Sequence, residues 1–178
     1  MGPLVSAAHR ARVASYVSSG VEQGAELVVD GRDLMIEGHD HGHFLGPCLF
    51  DRVHPGMRIY DEEIFGPVLL VVRTNSYPEA IKLINDNPYG NGTAIFTNDG
   101  GAARLFEQQV TAGMVGINVP IPVPMAYHSF GGWKASLFGD LHMHGPDGFR
   151  FFTRSKVITR RWPDPSHRGV NLGFPVSV

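Results

Sequence analysis

The chain has 178 residues, of which 43% are hydrophobic and 18% are charged, and its formal net charge is −2 at pH 7. This composition predicts a soluble globular domain, or a piece of a larger one, and argues against a disordered chain. The near-neutral charge gives no electrostatic reason to bind nucleic acid or an anionic membrane, so neither is expected as a partner. No apolar run approaches the roughly 18 to 20 residues that cross a bilayer.

The residue patterns of the first part of the chain predict a helix, a strand and a loop in that order. Ser6 suits the N-cap of an amphipathic helix that ends near Gly20. Residues 25–29 combine β-branched and aliphatic side chains and predict a short strand. Residues 37–50 are rich in glycine and histidine, which favours a loop.

The middle of the chain alternates strand and helix patterns. The continuous apolar run at 68–72 predicts a strand that is buried on both faces of a parallel sheet. A capping box at 76–79 begins a helix, and strands are predicted at 93–97 and 114–119 with a helix capped by Asp99 between them. Strands that alternate with crossover helices predict an α/β fold with a parallel sheet.

The end of the chain has a different pattern. Alternating side chains from Arg150 to Arg160 predict a strand with one cationic side, as is common at the edge of a sheet. Residues 163–178 are rich in Pro, Gly and Ser and predict a surface tail.

Two short motifs carry the chemical information. Residues 62–68 read Glu-Glu-Ile-Phe-Gly-Pro-Val, and composition alone favours a solvated turn with Phe65 in the core. This segment nevertheless resembles the signature of the aldehyde dehydrogenase superfamily. Residues 130–136, Phe-Gly-Gly-Trp-Lys-Ala-Ser, are similar to a second motif of that superfamily, downstream of the first.

Further segments resemble one branch of the superfamily, the coenzyme A-acylating methylmalonate-semialdehyde dehydrogenases. Residues 87–97 and 115–124 carry this resemblance, and the run Pro-Ile-Pro-Val-Pro at 120–124 is its strongest marker. The resemblance covers the chain from Gly2 to about Trp162. It implies that the chain is the C-terminal part of such an enzyme.

The resemblance also implies roles for individual residues. Glu63 matches the glutamate that binds the ribose hydroxyls on the nicotinamide side of NAD, and Phe65 matches the aromatic residue beside that ribose. Phe130 matches a residue that lines the aldehyde entrance. Asn118 matches an asparagine that supports the active-site loops.

The implied reaction is attack of a cysteine thiolate on a semialdehyde, hydride transfer to NAD, and release of the acyl group to coenzyme A. Methylmalonate semialdehyde would give propanoyl-CoA and carbon dioxide, and malonate semialdehyde would give acetyl-CoA. In the family the nucleophilic cysteine lies upstream of the segment that this chain resembles. We therefore expect no catalytic residue here and no turnover by the isolated chain.

The single cysteine, Cys48, excludes an intramolecular disulfide. It lies in a Gly-Pro turn before an apolar pair, and no predicted neighbour would activate its thiol, so a small buried residue is expected. The absence of disulfides and of an export signal favours the bacterial-like cytoplasm, with the mitochondrial matrix as the second choice.

The resemblance sets the expected organisation. We expect residues 1–148 to be the C-terminal part of a catalytic domain, 149–162 to be an oligomerisation strand, and 163–178 to be a surface tail. The expected partners are a semialdehyde and coenzyme A in the intact enzyme, and further copies in a homo-oligomer. The sequence leaves open whether a separate N-terminal half is also a partner.

Three other interpretations stay open. The chain could be a non-enzymatic oligomerisation module or a truncated fragment of the enzyme. His39, His41 and His43 could together hold a metal such as zinc, but the loop is glycine-rich and lacks ligands at a recognised spacing. A solvated loop is therefore favoured and no metal is expected.

Overall fold

The computed structural model describes residues 1–162 and divides the chain into two compact units, one from Met1 to Ala80 and one that begins at Ile81. The described residues form a mixed α/β structure with small sheets, which confirms the predicted fold class at that level. The predicted tail at 163–178 lies outside the described residues. The predicted boundaries at 148 and 162 stay predictions.

The first helix, α1, spans Ala7–Glu22, and the Ser6 side chain caps it by accepting a hydrogen bond from the His9 N–H. The helix continues past the predicted stop at Gly20. This glycine instead allows close packing against the core, since a Cβ there would lie 2.9 Å from Phe50 and Ile59. The stop is at Gly24, whose φ of 92° is the left-handed conformation typical of a helix end.

Three strands form the sheet of the first unit: β1 (Glu26–Val29), β2 (Cys48–Asp51) and β3 (Val68–Leu70). The order is β1-β2-β3, with β1 antiparallel and β3 parallel to β2. A short helix, α2 (Arg58–Asp61), lies between β2 and β3 in the sequence. The core where α1, α2 and the sheet meet contains Tyr16, Val17, Ala25, Cys48, Phe50, Val53, Met57 and Ile59.

Two sequence predictions for this sheet need correction. The central strand β2 begins inside the segment predicted as a loop, because the Gly46-Pro47 pair precedes the strand rather than replacing it. The strand β3 is not buried on both faces, since Leu69 is 65% exposed. It lies at the edge of the sheet, where Val68 and Leu70 pack against the core.

The helix α3 (Tyr77–Asp86) begins near the end of the first unit. The predicted capping box is only half formed. The Glu79 N–H lies 3.4 Å from the Ser76 hydroxyl, but the Glu79 carboxylate accepts from the Asn75 N–H rather than from Ser76. The helix thus begins at the predicted place, but the Glu79 carboxylate binds the backbone one residue earlier than a capping box requires.

In the second unit, β5 (Gly92–Ile95) pairs in parallel with β6 (Met114–Ile117), and α4 (Gly100–Gln109) connects them. Asp99 caps α4 by accepting from the Gly101 and Ala102 N–H groups. A second small sheet pairs β4 (Tyr89–Gly90) with β7 (Trp133–Lys134). The described strands thus form three small sheets rather than the single parallel sheet that the alternation predicted.

The predicted terminal strand is not formed in the described chain. Residues Gly145–Phe151 form a helix, α5, with Pro146 in its first turn, so Arg150 and Phe151 are helical rather than extended. Residues 152–162 do not form a strand. A strand needs hydrogen bonds from a neighbouring strand, and none of the described residues supplies them.

Candidate functional site

The Glu62–Gly66 segment lies at the surface, where the Glu62 side chain is 49% exposed. Glu63 and Phe65 are exposed, Phe65 by 77%, whereas Ile64 between them packs against the core. The Gly66 N–H donates to the Ile64 carbonyl at 2.8 Å, a tight turn that has Phe65 at its centre. The interpretation from composition alone, with Phe65 in the core, is wrong, since Phe65 is exposed and Ile64 packs against the core instead.

Glu62 is held by its surroundings while Glu63 is not. The Tyr16 hydroxyl donates to the Glu62 carboxylate at 2.6 Å, and Arg58 forms an ion pair with it at 3.3 Å. The hydrogen bond from Tyr16 lowers the pKa of Glu62, and the charge of Arg58 lowers it further. Glu63 makes no hydrogen bond or ion pair within residues 1–162, so its carboxylate can accept from a ligand.

Backbone contacts hold the far end of the segment. His9 Nε2 lies 2.7 Å from the Phe65 carbonyl oxygen, and it must carry the proton because a carbonyl only accepts. A Cβ on Gly66 would lie 2.7 Å from Val13 Cγ1, so the chain passes very close to α1 here. The turn is therefore fixed at both ends.

Asn118 follows β6 and has a left-handed backbone with φ of 56°. Its side-chain oxygen accepts from the Thr97 N–H at 2.9 Å, and its side-chain nitrogen donates to the Thr97 carbonyl at 3.0 Å. These bonds join the ends of β5 and β6. The prolines of residues 120–124 follow Asn118 almost directly, and its support of the active-site loops stays a prediction.

Phe130 is half-buried and stacks on His144, with ring centroids 4.3 Å apart and an interplanar angle of 3°. The adjacent Ser129 hydroxyl lies 3.4 Å from His142 Nδ1. No hydrogen bond or ring contact joins Phe130 to Asn118 among the described residues. Each of the two predicted residues therefore has its own local partners.

Lys134 and Ser136 are motif residues to which the sequence assigned no role. The Lys134 ammonium group donates to three main-chain carbonyls at the end of α3, those of Ile84, Asn85 and Asn87, over 2.9 to 3.4 Å. The Ser136 hydroxyl accepts from the Gly90 N–H at 3.1 Å. Since Lys134 has a left-handed φ of 53°, its backbone strain is a second sign of a special position.

Neither the Cys48 thiol nor the histidine loop has the geometry of a reactive or metal-binding site. Cys48 is 1% exposed and its sulfur accepts from the Gly31 N–H at 3.3 Å, as a packed core residue does. The predicted histidine loop borders a cavity of about 350 Å³, whose lining includes His39, His41 and His43. Within residues 1–162 no three His, Cys, Asp or Glu side chains are placed to hold one metal ion.

Residues 1–158 match the sequence model of the aldehyde dehydrogenase family, and the chain belongs to that family. Among individual relatives, it is 66% identical over 176 residues to a malonate-semialdehyde dehydrogenase of Pseudomonas aeruginosa. This match covers 98% of this chain and 35% of the relative. It is 48% identical over 178 residues to a mitochondrial, acylating methylmalonate-semialdehyde dehydrogenase of Arabidopsis thaliana. That match covers 99% of this chain and 29% of the relative.

Solved structures give the same family. The crystal structure of methylmalonate-semialdehyde dehydrogenase from Oceanimonas doudoroffii superposes with a TM-score of 0.89 at 55% identity, over 92% of this chain and 33% of that one. An aldehyde dehydrogenase of Mycobacterium tuberculosis complexed with NAD+ superposes with a TM-score of 0.75 at 37% identity, over 86% and 31%.

The chain spans about a third of the length of these relatives. No helix among residues 1–162 is long and apolar enough to cross a membrane.

Proposed function

We propose that this chain is the C-terminal part of an NAD-dependent, coenzyme A-acylating dehydrogenase of malonate and methylmalonate semialdehyde. The observation that carries the proposal is that Glu63 and Phe65, two residues apart, are both exposed in a segment that contacts with α1 hold in place. The names of the relatives supply the substrate class and the acylating chemistry.

The chemistry of this turn fits a nicotinamide nucleotide. A carboxylate without an internal partner can accept from two adjacent ribose hydroxyls, and an exposed aromatic ring can pack against a flat sugar or base. When bound, NAD would supply the hydride acceptor. Glu63 would bind the ribose, and Phe65 would limit where the ring can lie.

Phe130 and Asn118 have supporting roles in this proposal. Phe130 would line the aldehyde entrance, with its ring held by His144. Asn118 would hold the proline loop through its bonds to Thr97.

The thiolate and the remainder of the nucleotide site would come from the N-terminal part of the enzyme. Buried Cys48 cannot meet an aldehyde, so the isolated chain would show no dehydrogenase turnover. The reducing cytoplasm or the mitochondrial matrix would suit the free thiol, and the named plant relative is mitochondrial.

The test is NADH formation from methylmalonate semialdehyde, NAD and coenzyme A. The chain is assayed alone and mixed with the N-terminal two-thirds of the Pseudomonas relative, with the intact relative as the positive control. Turnover is expected only in the mixture. Turnover by the chain alone would contradict the proposed division of the active site.

Variants then test the site itself. Glu63→Gln in the mixture should raise the KM for NAD about tenfold, since a charge-assisted hydrogen bond is lost. Glu107→Gln is the matched control, because Glu107 is exposed on α4 and its carboxylate makes no hydrogen bond in the described chain. An equal KM for both variants would remove Glu63 from the nucleotide site.

A second candidate function is assembly of a homo-oligomer through residues 149–162. This segment exposes Phe149, Phe152, Val157 and Trp162 close to several arginines and Lys156. Residues 153–162 follow α5 and form no strand in the described structure, and an exposed extended segment can add a strand to a neighbouring sheet. A chain that self-associates and gives no turnover in the mixture, beside an active intact relative, would favour this function.

A further inference from the structure

One face of α1 contacts three successive points of the Glu62–Gly66 segment. His9, Val13 and Tyr16 are spaced four and three residues apart, so they lie on one side of the helix. His9 binds the Phe65 carbonyl, Val13 packs against Gly66, and Tyr16 binds the Glu62 carboxylate. A single rigid helix thus sets the segment from its first residue to its last.

Tyr16 has little freedom to move. It is 1% exposed, and the Arg58 guanidinium lies over its ring at 4.1 Å from the centroid. The Arg12 side chain also donates to the Tyr16 hydroxyl at 3.2 Å. Because the hydroxyl accepts one hydrogen bond and donates another, its direction towards Glu62 is fixed.

We propose that His9 and Tyr16 are positioning residues, which orient Glu63 and Phe65 for the nucleotide without touching it. The inference rests on the proposed function for its ligand. Tyr16 holds the carboxylate of Glu62, whose side chain is itself 49% exposed. Ile64 packs against the core, so the chain is anchored on either side of Glu63. Releasing either end of the segment would let the Glu63 and Phe65 side chains sample other directions.

The first test is hydrogen exchange of the amides of residues 62–66 in the complete 178-residue chain. Tyr16→Phe and His9→Ala should each speed this exchange about threefold or more, because each removes one anchor. Tyr60→Phe is the matched control, since Tyr60 packs against the same core and its hydroxyl makes no hydrogen bond in the described chain. His9→Gln should restore slow exchange, because its amide can donate to the Phe65 carbonyl.

The second test uses the mixture with the N-terminal two-thirds of the Pseudomonas relative. Tyr16→Phe and His9→Ala should raise the KM for NAD on the order of three- to tenfold with kcat nearly unchanged, whereas Tyr60→Phe and His9→Gln should match the parent. Unfolding curves of all four variants show whether a change is global.

The outcomes separate the two proposals. Equal exchange in Tyr16→Phe and Tyr60→Phe would overturn the positioning role, whatever the mixture does with NAD. Faster exchange with an unchanged KM, beside a raised KM in Glu63→Gln, would overturn it as well. If Glu63→Gln leaves the KM unchanged while the exchange rises as expected, the failure belongs to the nucleotide site and the anchoring by α1 stands.

Discussion

Gly66 has almost no free space beside it, since α1 passes so close that a methyl group would overlap the buried Val13 side chain. We therefore expect Gly66→Ala to lower the free energy of unfolding by about 1 to 3 kcal/mol, as overpacking does. Urea unfolding followed by circular dichroism measures the change. Gly100→Ala is the control, because a Cβ there meets nothing within 4 Å, and a loss equal to that of Gly66→Ala would contradict the packing argument.

Glu62 gives the chain a predictable response to acid. Its hydrogen bond with Tyr16 lowers its pKa in the folded state below the ordinary value of 4.5. A lowered carboxyl pKa stabilises the fold above the ordinary value, and this contribution is lost as the pH falls through the lowered value. Glu62→Gln should therefore reduce the difference in unfolding midpoint between pH 7 and acid pH, whereas Glu107→Gln should leave it unchanged.

At the level of elements, the end of α3 depends on a residue that is distant in the sequence. Lys134 donates to three carbonyls near the C-terminus of this helix, where a positive charge also interacts favourably with the helix dipole. We expect Lys134→Met to lower the free energy of unfolding by about 1 to 3 kcal/mol, because three carbonyls lose a charged donor.

The control for this prediction is Lys82→Met on the same helix. Lys82 pairs with Asp86 on the surface and is 74% exposed, so its loss should change the free energy of unfolding by less than about 0.5 kcal/mol. Similar losses for both lysines would show that the carbonyl contacts add nothing beyond an ordinary surface charge.

The sequence predicted those elements whose signals are local. The N-caps at Ser6 and Asp99 and the helices that follow them are confirmed, because a capping side chain acts within three residues of itself. The strands at 26–29, 92–95 and 114–117 also agree with their apolar patterns.

The elements that the sequence missed depend on distant partners. The strand β2 owes its existence to β1 and β3 on either side, which no local pattern reveals. The expected strand after Arg150 has the right alternation but no partner strand within residues 1–162. Glu63 and Phe65 could be named only through a motif, because the contacts that hold their segment come from α1, which is far away in the sequence.

For the whole molecule, the exposed apolar surface is the main physical property. Large hydrophobic side chains are exposed in both units, among them Phe65, Leu69, Phe96, Phe138 and Trp162. Exposed apolar surface of this kind marks interaction sites or promotes association. The chain should therefore bind a dye such as ANS and self-associate with increasing concentration.

Sedimentation velocity over a concentration series measures this association. Addition of the N-terminal two-thirds of the Pseudomonas relative should reduce the dye fluorescence, if the proposed enzyme forms and covers part of this surface. A chain that stays monomeric at high concentration and binds no dye would contradict the expectation.

The side chain of Asn118 has a consequence for the chemistry of the β5–β6 sheet. Its amide gives one donor and one acceptor to the two backbone groups of Thr97, so it acts as an additional peptide group and lengthens the ladder by one rung. An exchange of its nitrogen for oxygen, as in aspartate, would set a carboxylate against the Thr97 carbonyl. The bond to the Thr97 carbonyl would then form only in acid, when the carboxyl group of the aspartate has a proton to donate. In the present chain the amide donates this bond without any change of protonation.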